Sequence, residues 1–95
     1  MNINLGIQIV PILNKEKGFP IIDECIRLIQ ESDIHSTVTP FETILEGDYR
    51  AIMDLVNELY TKANELSPET VINIRIHTIR DAHVVGTDKT AKFNK

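Results

Sequence analysis

Residues 35–48 read His-Ser-Thr-Val-Thr-Pro-Phe-Glu-Thr-Ile-Leu-Glu-Gly-Asp. Two short strand-like runs sit here back to back. His35 to Thr39 is rich in Ser, Thr and Val, residues that suit a pleated, half-exposed surface. Glu42 to Glu46 is the second run. Pro40 and Phe41 leave room only for a tight connection, so the two runs pair antiparallel. Gly47 then breaks the strand, and Asp48 is a fair N-cap for whatever helix follows. The Thr and Glu side chains crowded at this strand–strand–helix junction have two readings: contacts to a ligand, or a polar turn followed by a helix cap.

Outward from that junction the chain is periodic on both sides. After it, Ile52, Leu55, Val56, Leu59, Ala63 and Leu66 recur at helical spacing, and Ser67-Pro68 ends the helix. Before it, Ile22, Cys25, Ile26 and Ile29 follow the i, i+3, i+4, i+7 pattern, widened by Ile21 and Leu28. Pro20 suits a first helical turn, which predicts a helix from Phe19 or Pro20 to about Ser32, preceded by a polar loop over Asn14 to Gly18. At the start of the chain, Ile3, Leu5, Ile7 and Ile9 alternate with Asn4, Gly6, Gln8 and Val10, as in a half-buried strand that Pro11 terminates. From Val71 to Arg80, Ile72, Ile74 and Ile76 alternate with Asn73, Arg75 and His77. The tail from Asp81 to Lys95 has no convincing period.

The predicted order is β-α-β-β-α-β. Two helices with one apolar stripe each cover one face of a four-stranded antiparallel sheet, giving an α+β, ferredoxin-like sandwich. One domain is expected over residues 1–95, with its core at about 3–80. The crossovers are expected to set the first and last strands side by side in the centre of the sheet. Ile3, Leu5, Ile7, Ile9, Ile72, Ile74 and Ile76 are expected under the helices. The open face then carries Asn4, Gly6, Gln8, Val10, Asn73, Arg75, His77 and Ile79. Thr43 and Leu45 join it if Ile44 faces the helices, and Thr37 and Thr39 join it if Val38 does.

Bulk properties narrow the function classes. The chain has 95 residues, 42% of them apolar, and a formal net charge of −4. That balance supplies no basic footprint for nucleic acid or an anionic membrane. The one cysteine, Cys25, lies on an apolar stripe and reads as packing. No run approaches the roughly 20 apolar residues of a membrane span, and the N-terminus does not read as a signal peptide. A cytoplasmic protein is expected. There is no Ser/His/Asp arrangement, phosphate-cradling glycine loop or metal-ligand spacing, so a non-enzyme is expected, with no required cofactor.

The Thr43-Ile44-Leu45-Glu46-Gly47 run, the opening strand ending in Val10-Pro11, and the closing Ile74-Arg75-Ile76 strand resemble the thiamine-binding family of small ferredoxin-like domains (UPF0045). The likeness spans residues 3 to about 80. It implies a homotetramer built as a dimer of dimers, binding thiamine or a related aminopyrimidine without known chemistry. Where members often carry a small Gly/Ser/Thr-rich turn after the first strand, this chain has Asn14-Lys15-Glu16-Lys17-Gly18, so contacts from that turn are not carried over.

Seven residues are candidates for the ligand site. Thr39 and Thr43 offer hydroxyls to ring nitrogens or an amine, or are simply strand residues. Glu46 offers charge to a thiazolium or an acceptor to an aminopyrimidine, although its parity with Ile44 calls for a strand end or bulge to re-aim it. Gln8, in mid-strand, needs partners for both ends of its amide. Arg75 and His77 make a polar floor, or Arg75 pairs with Glu42 or Glu46 across a subunit boundary. Phe41 stacks on a ring, or closes the core at the turn. An alternative function is an ACT-like ligand-sensing or interaction module without catalysis. An acylphosphatase-type enzyme shares the fold order, but the Pro11 to Phe19 loop lacks the arginine it needs. A bare sheet face holding Val10, Leu45 and Ile79 points to self-association as a dimer or tetramer.

Overall fold

The structure, a computed structural model, describes residues 2–78 and Arg80. The expectations for Ile79 and for the tail over 81–95 fall outside those residues. The elements are β1 (Asn2–Pro11), α1 (Lys15–Glu31), β2 (His35–Val38), β3 (Thr43–Asp48), α2 (Tyr49–Leu66) and β4 (Thr70–His77). They form one four-stranded sheet in the order β2-β3-β1-β4, with every neighbouring pair antiparallel. This is the ferredoxin-like sandwich.

The centre of the sheet is not as expected. β1 lies between β3 and β4, so the two central strands are β1 and β3, and β4 is an edge. Each β-α-β unit skips one strand position. The β2–β3 hairpin sends β3 back into the gap beside β1, and the second crossover carries β4 past β1 to its far side. Ile74 and Ile76 share the helix-side parity of Ile7 and Leu5. They remain exposed at the sheet edge, because the helices pack mainly over β1 and β3.

Both helices start at a side-chain cap. The Asn14 side chain accepts from Lys17 N at 3.1 Å, and the Asp48 side chain accepts from Ala51 N at 3.1 Å. Each satisfies one of the backbone donors that a helix start leaves without an intrahelical partner. α1 therefore begins at Lys15, several residues before the predicted start, and the predicted polar loop is its first turn. Pro20 lies inside the helix, where it forfeits the bond to the Glu16 carbonyl. Gly47 does not break β3, which runs through it to Asp48 at a positive φ of 154° that glycine tolerates.

The core is a single cluster. Ile3, Leu5 and Ile7 of β1 and Leu45 of β3 meet Cys25 and Ile29 of α1 and Ile52, Leu55, Val56, Leu59 and Ala63 of α2. Leu66, expected on the buried face of α2, is instead exposed at its end. Leu59 is fully buried at the middle of the α2 stripe. Leu59→Ala leaves a cavity there and is expected to lower stability by about 2–5 kcal/mol, read from urea unfolding. A loss below about 1 kcal/mol would contradict this placement of the core.

Candidate functional site

The face that each β3 residue sees follows from its register with β1. Leu45 pairs with Leu5 and Thr43 with Ile7, so both point toward the helices. Glu42, Ile44 and Glu46 take the opposite face. Thr43 and Leu45 therefore do not join the open face, and Glu46 reaches it with no bulge. The physical reason is burial: the strand has two adjacent apolar residues, and the core takes Leu45, leaving Ile44 half-buried outside.

The seven candidate residues fall into two sites on opposite sides of the sheet. On the open face, one row crosses all four strands as His35, Glu46, Asn4 and His77. The next row is Thr37, Ile44, Gly6 and Arg75. Glu46, Arg75 and His77 line a cavity of about 420 Å³ here. Asn4 Nδ2 donates to Glu46 Oε1 at 3.3 Å. His77 Nδ1 is buried with no hydrogen-bond partner among the described residues. Arg75 pairs with Glu42 of its own chain. Gln8 is exposed rather than buried, and its amide oxygen accepts from Asn73 Nδ2 at 3.1 Å.

A second cavity, of about 360 Å³, opens on the helix side between α1 and the β2–β3 turn. Its floor is apolar: Ile7 and Ile9 of β1, with Ile22, Cys25, Ile26 and Ile29 of α1. Thr43, only 8% exposed, is the polar strand residue of β3 on that wall. Asn14, Lys15 and Gly18 bring the start of α1 to the rim, and Thr39 and Phe41 bring the turn. Gln8 also forms part of the strand wall. Burial, seconded by the charge of Glu24, pushes the Cys25 thiol above its ordinary range, so it is neutral packing at physiological pH.

Thr39 is not available to a ligand. Its hydroxyl donates to Glu42 O at 2.6 Å and accepts from Glu42 N at 3.0 Å and Phe41 N at 3.3 Å. Those three contacts use one donor and both lone pairs. With Thr39 N bonded to Glu42 O at 2.9 Å, the hydroxyl fixes the turn. Phe41 does not close the core: it is 81% exposed. Sequence reading missed Asn14, Lys15, Gly18 and Phe19 as site residues because it placed most of them in a loop; the Asn14 cap was the signal that a helix begins there.

Glu42 joins the two faces. Its backbone belongs to the turn beside the helix-side cavity, while its carboxylate crosses β1 on the open face to reach Arg75 on β4. Gly6 makes the crossing possible, since a Cβ there would fall 2.6 Å from Glu42 Oε2 and 3.0 Å from its Cδ. Only a flexible side-chain end is in the way, and the pair is solvent-exposed at Arg75. Gly6→Ala is therefore expected to displace the carboxylate and cost less than about 1 kcal/mol. In a double-mutant cycle read by urea unfolding, Arg75→Ala then adds nothing in the Gly6→Ala background; an undiminished Arg75 effect there would contradict the crossing.

Among the described residues no group of three or more His, Cys, Asp or Glu is placed to hold a metal ion, and no helix is long and apolar enough to cross a membrane. Residues 5–94 match the sequence profile of the thiamine-binding protein family. A UPF0045 protein of Clostridium perfringens is 23% identical over 90 residues, covering 95% of each chain. Among solved structures, a Thermotoga maritima protein assigned provisionally to thiamine biosynthesis or salvage superposes with a TM-score of 0.85, at 24% identity over 98% of this chain and 99% of that one. A Streptococcus pneumoniae protein, SP2199, superposes with a TM-score of 0.83, at 24% identity over 97% and 99% of the two chains. At these identities the structural likeness speaks for the fold.

Proposed function

The chain belongs to the thiamine-binding protein family, and on that premise we propose that it binds thiamine or a related aminopyrimidine in the cavity between α1 and the β2–β3 turn. The observation that carries this reading is the make-up of that cavity. Its walls are mostly aliphatic, and the buried Thr43 supplies a hydrogen-bonding group beneath a rim of polar and aromatic residues. A small aromatic ligand needs that combination: apolar area for its rings and a few placed polar groups to fix its orientation. The other polar cluster, with Glu46, Arg75 and His77, lies on the opposite face of the sheet, where Ile44 and Ile76 are the apolar residues beside it.

The role is one of binding without catalysis. His35 and His77 sit across the sheet from the cavity, and the cavity-lining thiol of Cys25 is held neutral by burial. Calorimetric titration with thiamine tests the reading. At a ligand concentration 100 times its Kd, binding is expected to add about 2.7 kcal/mol to stability, with a matching rise in melting temperature. No heat and no melting shift at millimolar thiamine or aminopyrimidine would overturn it.

Self-association is part of the same proposal, on different residues from those the sequence favoured. Leu45 is in the core and cannot serve. The support now comes from β4, an edge strand with Val71, Ile74 and Ile76 exposed and no strand paired to its outer side among the described residues. Such an edge is a template for another chain. Light scattering at micromolar concentration is expected to give a dimer or tetramer, and Ile74→Lys to shift it toward monomer. A strict monomer for the unaltered protein would count against it.

A further inference from the structure

The rim of the helix-side cavity carries two aromatic rings that the fold leaves unburied. Phe41 on the β2–β3 turn is 81% exposed, and Phe19 on α1 is 57% exposed. They come from different elements, yet both line the same cavity. Neither belongs to the core cluster.

Both rings stand on backbone that is held in place. Thr39 fixes the turn under Phe41 through its bonds to Phe41 N, Glu42 N and Glu42 O. Phe19 follows Gly18, whose buried backbone packs against the end of β1: a Cβ there would lie 3.9 Å from Leu13 O and 4.0 Å from Pro11 Cβ. The two rings are thus mounted on ordered structure, as recognition groups need to be. Charge completes the picture. Glu42 is the one carboxylate among the described lining residues, and its charged end pairs with Arg75 on the other sheet face. An electron-poor ring entering from the helix side therefore meets the negative faces of aromatic rings, with the Lys15 ammonium beside them rather than a free carboxylate.

We propose that Phe19 and Phe41 are the specificity-determining residues of this cavity, together stacking on a flat, electron-poor heteroaromatic ring of the aminopyrimidine or pyridinium class and rejecting saturated amines of similar size. This rests on the cavity being the ligand site, and deepens that reading by naming what selects the ligand. A stacked ring pair, beyond its area burial, corresponds to roughly 2- to 10-fold in Kd.

The chain contains no tryptophan, so Phe41→Trp creates a single emitter at the rim. Titration of that variant with thiamine, 4-amino-2-methylpyrimidine, N-methylpyridinium and N-methylpiperidine reads the contact directly. Saturable quenching by the aromatic compounds but not by N-methylpiperidine is expected. In calorimetry with 4-amino-2-methylpyrimidine, Phe19→Leu and Phe41→Leu are each expected to weaken binding about 2- to 10-fold, while Phe19→Tyr and Phe41→Tyr retain it. Urea midpoints of all four variants stay within error of the parent, which separates stacking from a packing role. If N-methylpyridinium and aminopyrimidine bind but thiamine does not, the stacking pair stands and the thiamine reading falls. If thiamine binds with unchanged Kd in both Leu variants, the stacking pair is overturned and the cavity reading survives. Equal binding of N-methylpiperidine overturns the selection, and failure of every compound to bind the parent protein overturns both readings. If the Leu variants lose self-association instead of affinity, the rings serve a subunit contact and the proposal is overturned.

Discussion

The pairing of Leu5 with Leu45 is the constraint on which the rest depends. Both side chains are completely buried, and they lie opposite one another on the two central strands. Side chains alternate across a strand with period two, so a slip of one residue would turn all of β3 over. That slip would expose Leu45, bury Ile44, and exchange Thr43 for the Glu42 and Glu46 carboxylates beneath the helices. Burying two unpaired carboxylates under an aliphatic layer costs far more than the leucine–isoleucine exchange. The register is therefore fixed by charge as much as by packing.

That one pairing divides the polar residues of this small domain. Thr43 goes to the helix side, where it meets the start of α1 and the aromatic rim. Glu46, Arg75 and His77 go to the other side with His35 and Asn4. Glu42 spans the division, with its backbone in the turn and its carboxylate laid across Gly6 to Arg75. The geometry of the turn beside the cavity is thus tied to the far edge of the sheet through a single exposed ion pair.

Where the sequence was periodic, it was legible. The alternation from Ile3 to Ile9 and the stripe from Ile52 to Ala63 located β1 and α2, and with Asp48 as a cap they fixed the element order. β3 was harder. Ile44 and Leu45 are adjacent and apolar, so a run this short is compatible with either face outward, and only its partner strand settles which. The start of α1 was obscured because Pro20 reads as a first-turn residue, whereas the Asn14 side chain caps the helix earlier. That displacement hid Phe19 and the rim. Strand order was also out of reach of local pattern: β4 alternates like a central strand, and only the crossover topology makes it an edge, leaving Ile74 and Ile76 in the open. For the candidate site, residue types were read more accurately than their grouping, because grouping depends on the β1–β3 register.

The central claim is that ligand enters on the helix side of the sheet. Methyl NMR of protein labelled at isoleucine tests it most directly, because the two faces carry different isoleucines. Ile22 and Ile26 line the cavity beside α1, while Ile44 lies in the site on the other face. Addition of thiamine is predicted to shift the Ile22 and Ile26 methyl resonances and leave Ile44 where it was. Shifts confined to Ile44, with Ile22 and Ile26 unmoved, would contradict the account.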